Sequence, residues 1–167
     1  MLITPEYVFA NVSHITPEFL AGQGIRALAL DVDNTLTEDR SQQLPPEVQQ
    51  WLADMKAAGI ALTIVSNGSA PRVKPFAEWL GLLWVSRAAK PLTPGLKEAQ
   101  KRLGVAKHQM ARVGDQLYTD RMAAALYGIP AYMVVPRGAD CGWWVRAKRV
   151  LEKPFWNNYY KKGGKTL

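Results

Sequence analysis

The sequence predicts an α/β fold: a mainly parallel sheet of five strands with helices on both faces. Two observations carry this reading. Along residues 25–136, short apolar runs alternate with amphipathic segments of helical length, which is the order of repeated right-handed βαβ units. Each apolar run also stops at small polar or charged residues, and in a parallel sheet those ends share the edge where ligands bind.

Residues 27–30, Ala-Leu-Ala-Leu, form the first buried strand and lead straight into Asp31, Val32, Asp33, Asn34 and Thr35. Pro45 and Pro46 introduce a helix with Val48, Trp51, Leu52 and Met55 on one face and Gly59 as its stop. Residues 60–65 are an unbroken, β-branched run suited to a strand covered on both sides. It opens into Ser66, Asn67, Gly68 and Ser69. A helix from Pro71, with Val73, Phe76, Ala77 and Leu80 inward, ends at Gly81 and precedes a short third strand at 82–85. A helix at 94–103 closed by Gly104, a strand at 110–113, a helix at 119–127 ending at Gly128 and a fifth strand at 131–135 complete the series. Residues 1–25 read as an extension of this core.

The chain of 167 residues, 48% apolar and 21% charged, suits one domain with a substantial core. A single cysteine, Cys141, allows no internal disulfide, and no basic segment followed by an apolar run opens the chain. No uncharged stretch is long enough to span a bilayer. A reducing cytoplasm is therefore expected, and secretion is not.

The net charge of +7 is concentrated at one end: residues 137–167 hold eight of the 21 Lys and Arg but two of the 14 Asp and Glu. The sequence thus divides into a nearly neutral core at 1–136 and a basic aromatic tail at 137–167 that is no independent domain. In the tail, Trp143, Trp144, Ala147, Val150 and Leu151 share a helical face, with Arg146, Lys148, Arg149 and Lys153 elsewhere and Phe155, Trp156, Tyr159 and Tyr160 following. The leading expectation is a final helix packed on the sheet with a solvated outer face. An anionic membrane surface and RNA are the competing partners.

Asp31 and Asp33 would repel each other unless a cation sat between them, so the pair predicts a bound metal. Later strands end in Ser66 and Asn67, in Lys90 of Ala-Lys-Pro, and in Asp115 and Asp120 of Gly-Asp-Gln-Leu-Tyr-Thr-Asp. Taken singly, these are turn residues, a helix-start acid and a surface lysine. Gathered on one edge, four carboxylates, a lysine and hydroxyl and backbone donors suit phosphoryl transfer. His14 and His108 lie outside the motifs and read as exposed or structural.

This pattern resembles the haloacid dehalogenase superfamily of phosphohydrolases, whose four motifs it meets in order: Asp31 to Thr35, Ser66, Lys90, and Gly114-Asp115 with Asp120. The resemblance implies a Rossmann-like three-layer α/β/α sandwich and Mg²⁺-dependent hydrolysis of a phosphomonoester through an aspartyl phosphate. Asp31 would be the nucleophile. Asp33 would protonate the leaving alcohol and then activate water, with its backbone carbonyl on Mg²⁺; Asp115 would complete the metal site and Asp120 would act from behind it. Thr35, Ser66, Asn67 and neighbouring amides would hold the phosphoryl oxygens, while Lys90 orients the nucleophile and offsets negative charge.

The segments between Thr35 and Ser66 and between Ser66 and Lys90 leave no space for a cap domain, which is similar to the capless family IIIA. The opening Ile15-Thr16-Pro17 and Gly24-Ile25-Arg26-Ala27 resembles its YqeG-type branch, which includes phosphatidylglycerophosphate phosphatases of the mitochondrial type. An uncapped site implies a bulky phosphorylated substrate such as a lipid phosphate. The basic aromatic tail could hold such an enzyme, expected to be cytoplasmic, in peripheral contact with the inner face of an anionic membrane. The alternative expectation is an RNA or ribonucleoprotein-binding module whose phosphatase site is vestigial. Oligomeric state and natural substrate are not legible in the sequence.

Overall fold

The computed structural model describes residues 2–167 and sets six short apolar segments side by side, all parallel. In chain order they are β1 (Tyr7–Phe9), β2 (Ala27–Leu30), β3 (Ala61–Val65), β4 (Leu83–Val85), β5 (Met110–Gly114) and β6 (Ala131–Val134). The helices are α1 (Pro17–Gly22), α2 (Pro46–Ala57), α3 (Ala70–Trp79), α4 (Pro94–Leu103), α5 (Met122–Tyr127) and α6 (Trp143–Lys161). Across the sheet the order is β1-β6-β5-β2-β3-β4.

Side chains alternate between the two faces of each strand. Leu28 and Leu30 enter one core with Trp51, Met55, Ile64 and Phe76, beneath α2 and α3. Ala29 enters the other with Val65, Leu96, Met110, Ala123 and Met133, beneath α4 and α5. Full burial of a Leu, Ile or Phe side chain contributes roughly 1.5–3 kcal/mol, so both faces of this sheet drive folding. The helix face expected from Val48, Trp51, Leu52 and Met55 is buried throughout. Gly104 and Gly128 stop α4 and α5 in the left-handed conformation, at φ 65° and 81°.

The five-strand expectation is corrected to six. Residues 1–25 are not a mere extension: β1 pairs with β6, Tyr7 opposite Tyr132, and α1 is capped by Thr16, whose Oγ1 accepts from Phe19 N at 3.1 Å. Tyr7, Phe9, Phe19 and Tyr132 pack edge to face. A three-residue strand offers too little alternation to register as a period. The helix expected at 119–127 is also divided: a single wide π turn over Leu117–Arg121 precedes α5.

The tail folds back as a long helix on the core, and the outer face it leaves to solvent is apolar. Glu152 is fully buried, whereas Trp143, Trp144, Val150 and Leu151 are 67%, 64%, 60% and 61% exposed. Beyond α6 the chain returns to the sheet edge: Leu167 N donates to Val8 O and Ala10 N to Leu167 O, each at 2.8 Å. Among the described residues no helix is long and apolar enough to cross a membrane.

Candidate active site

Leu30 stands in register with Ile64 and Val113, so three strands deliver their next residues to one level of the sheet edge. Asp31 is the first beyond β2. Its N–H donates to Val113 O at 2.9 Å, extending the ladder by one bond, and its side chain is buried but borders a cleft of about 230 Å³. The chain then turns at Asn34, φ 56°, a conformation that Asn tolerates better than most residues. The Asn34 amide fixes the turn, accepting from Gly138 N at 3.0 Å and donating to Asp140 at 2.9 Å. Asp33 is thereby held at the same cleft, beside Ser66, Asn67 and Lys90.

Lys90 links the parts. Its Nζ lies 2.7 Å from Asp31 Oδ1 and 2.8 Å from Asp120 Oδ1. The Lys90 backbone is clamped by Asn67: Lys90 N donates to Asn67 Oδ1 at 2.8 Å, and Asn67 Nδ2 donates to Lys90 O at 3.1 Å. The Asn67 side chain, expected on phosphoryl oxygens, is engaged in this clamp. Ser66 Oγ accepts from Gly68 N at 3.0 Å and keeps its own proton for another acceptor. Thr35 is fully buried, with Oγ1 3.4 Å from Asp115 Oδ1, so it supports that carboxylate from inside the protein.

Two residues missed in the sequence complete the site. Arg112, in the middle of β5, is fully buried. It donates to Ala29 O at 3.2 Å, to Val65 O at 2.9 Å and to Asp120 Oδ1 at 2.6 and 3.1 Å, tying three strands to one carboxylate. A charge inside an apolar strand, Met-Ala-Arg-Val-Gly, was the available signal. The second is Arg149 of α6, which ion-pairs with Asp115 and Asp140 and donates to Asp115 O at 2.7 Å. Nothing in the charge run of the tail distinguishes it from its neighbours. Gly114 is required because any Cβ there would collide with the Asp120 carboxyl.

Ligand oxygens of Asp31, Asp115 and Asp120 lie within 4.8 Å of one another, all three residues buried. Burial pushes Asp31 up, against the pull of Lys90. Asp115 is pushed up to about 8 by burial, which outweighs Arg149 and is reinforced by the charges of Asp31 and Asp120. Burial would raise Asp120 too, but Lys90 and Arg112 together hold it below the usual carboxylate range. Asp120 is thus satisfied by fixed cations, while Asp31 and Asp115 resist ionisation until further positive charge is brought to them. That all-oxygen donor set, without His or Cys, fits a hard divalent cation. The Asp33 carboxylate stands apart from the cluster, accepting from Arg40 N at 2.9 Å and ion-paired with Arg72. A larger cleft, lined by Pro17, Glu18, Arg26 and Gly59, lies where the strands begin and contains none of these groups.

Comparison with known proteins gives a consistent result. The family model described as haloacid dehalogenase-like hydrolase matches residues 39–128, and one described as mitochondrial PGP phosphatase matches residues 1–75. The chain is 33% identical over 159 residues to a probable phosphatase YqeG of Bacillus subtilis strain 168, covering 95% of this chain and 92% of that protein. It is 23% identical over 175 residues to phosphatidylglycerophosphate phosphatase 1, chloroplastic/mitochondrial, of Arabidopsis thaliana, covering 99% of this chain and 50% of that protein. Among solved structures, an uncharacterized protein of Listeria monocytogenes serotype 4b shares the fold at TM-score 0.56 and 16% identity, over 78% of this chain and 99% of that one. The cobalt-bound deoxy-D-mannose-octulosonate 8-phosphate phosphatase of Haemophilus influenzae does so at TM-score 0.53 and 17% identity, over 81% and 89%.

Proposed function

This chain belongs to the haloacid dehalogenase-like hydrolases, as a phosphatase of that family, and we propose that it is a Mg²⁺-dependent phosphomonoesterase that forms an aspartyl phosphate on Asp31 and acts on a lipid phosphate. The observation that carries this reading is the state of Asp31. Lys90 fixes Oδ1 at 2.7 Å, and Oδ2 takes no hydrogen bond among the described residues, at the border of an open cleft.

In the proposed reaction Asp31 Oδ2 attacks phosphorus, a new P–O bond forms, and the bond to the substrate's alcohol breaks. Asp33 gives its proton to the departing alkoxide and then takes one from the water that attacks the aspartyl phosphate, releasing phosphate and restoring both acids. The Ser66 hydroxyl and the Asn67 backbone N–H, which has no acceptor among the described residues, suit the phosphoryl oxygens. Lys90 offsets repulsion between two anions, and loss of one such donor costs roughly 3–4 kcal/mol in comparable sites. Mg²⁺ on Asp31, the Asp33 carbonyl and Asp115 would supply positive charge to the phosphoryl group.

A lipid phosphate is favoured because residues 36–65 and 67–89 form only the helices and strands of the core, so no cap closes the cleft. Arg40, Arg72 and Lys148 also line it, suiting a substrate with a second anionic group. The name carried by the Arabidopsis relative supports the same class. The reading keeps residues 1–136 as the catalytic core and 137–167 as an appended element, in a protein acting at the inner face of a membrane.

Phosphate release from an aryl phosphate should require Mg²⁺ and disappear in Asp31→Asn, and phosphatidylglycerophosphate in mixed micelles should outperform nucleotide, sugar and protein phosphates. Equal turnover by Asp31→Asn would overturn the mechanism. A better soluble substrate would overturn the lipid assignment.

A further inference from the structure

α6 presents its faces in an unusual order. Successive helical residues are about 100° apart, which sets Glu152, Val145, Trp156 and Tyr159 around one direction and Trp143, Trp144, Ala147, Val150, Leu151 and Pro154 in an arc of about 120° around the opposite one. Glu152 accepts from Tyr118 N at 3.2 Å, and Phe155, Trp156 and Tyr159 pack against the core. The opposite arc is solvent-facing: all six of its residues are exposed, and Trp143 and Trp144 stack at 4.1 Å. A surface helix ordinarily turns its apolar stripe inward.

We propose that this outward stripe docks on an anionic phospholipid bilayer. Three features select that occupant. Arg146 and Lys153 flank the stripe on one side and Lys148 on the other, with Lys161 and Lys162 beyond its end. The two acids of the tail are withdrawn, Glu152 into the core and Asp140 onto Arg149, so the exposed charges of the helix itself are cationic. Two indoles with aliphatic Val150 and Leu151 suit the boundary between headgroups and acyl chains. A nucleic acid would leave the aliphatic side chains without a match, and a second copy would press one cationic rim on another. The same helix starts at the active site, since Gly142, Val145 and Lys148 line its cleft, so docking would keep the site close to the bilayer.

The surface deepens the lipid-phosphate reading above, yet its test is independent of turnover. Full-length Asp31→Asn is sedimented with vesicles of equimolar phosphatidylglycerol and phosphatidylcholine, and with phosphatidylcholine alone. Binding to the anionic vesicles only is expected. The triple variant Trp143→Ala, Trp144→Ala, Leu151→Ala and the single variant Leu151→Asp should each weaken it by about tenfold or more. Arg146→Gln with Lys153→Gln should weaken it by a similar factor, about fivefold for each cation removed. In the active background all of these should hydrolyse a soluble aryl phosphate at the unchanged rate. Equal binding by parent and stripe variants overturns the proposal, as does binding by neither. So does a dimer of the parent in solution that the triple variant abolishes. Absence of aryl phosphatase activity from the chain with Asp31 intact, with vesicle binding retained, would overturn the enzymatic reading alone.

Discussion

Arg149 on α6 is ion-paired with Asp115 at the end of β5, so the tail helix reaches into the carboxylate cluster of the core. Three buried acids, Asp31, Asp115 and Asp120, thereby face three cations, Lys90, Arg112 and Arg149. Of these, Arg149 comes from the tail helix and is paired with Asp115, a residue suited to hold metal. A divalent cation and the Arg149 guanidinium therefore compete for the same carboxylate. Replacing Arg149 by Met should tighten Mg²⁺ binding, measured by titration calorimetry, by about tenfold, the effect of roughly 1.4 kcal/mol of removed charge repulsion. In the metal-free variant Asp115 should keep its proton to higher pH than in the parent, because the guanidinium that pulls its carboxyl down is gone.

Asp115 also sets a pH dependence. Its carboxyl is raised from 3.8 to about 8 in the folded metal-free chain, so the folded state binds that proton more tightly than the unfolded state does. The associated stability is fully present below about pH 4 and is lost as pH rises through 8, opposite in sign to the contribution of Asp120, whose carboxyl is lowered. Divalent binding must expel the proton. Calorimetry at pH 7 in buffers of different ionisation enthalpy should therefore show about one proton released per ion bound, falling towards zero above pH 9. A binding enthalpy indifferent to buffer would contradict the assignment of Asp115 as a ligand.

Arg112 serves the fold as much as the site. Arg112→Met strands Asp120 with Lys90 as its remaining cation and should cost about 3–5 kcal/mol in chemical denaturation. Arg112→Met combined with Asp120→Leu removes both charges and should recover most of that loss while leaving the enzyme inactive. Additive losses in the double variant would mean that the pair does not act as a unit.

For Asp33, proton delivery predicts a dependence on leaving group. Asp33→Asn should lower kcat for an alkyl phosphate by about 10²–10⁴, and for an aryl phosphate with an acidic phenol by far less. A uniform loss would point to damage to the turn at Asn34 rather than to a missing acid.

How much of this was legible depended on whether the signal was local. The strands at 27–30 and 110–113, the buried face of α2 and the placement of Asp31, Ser66, Lys90 and Asp115 at strand ends follow from periodicity and punctuation within a few residues. β1 was not legible because its three residues, Tyr7–Phe9, carry no period, and the strand exists by pairing with β6 far along the chain. Asn67 at a strand end suits a ligand or a backbone clamp, and the clamp on Lys90 becomes visible only once the loop carrying Lys90 is folded beside it. Arg149 was hidden for a different reason. In a run of cations, the one that matters is chosen by the direction in which the helix leaves Gly142, and that direction is a tertiary property.

The closing residues bear on how such molecules meet one another. Thr166 and Leu167 lie alongside Val8 and Ala10, so the outer margin of β1, one edge of the sheet, is already covered by the chain's own backbone. An uncovered strand margin is a template for a neighbouring chain. Here growth from that side is blocked from within, and β4, with Leu83 46% exposed, is left as the rim where strand addition could begin.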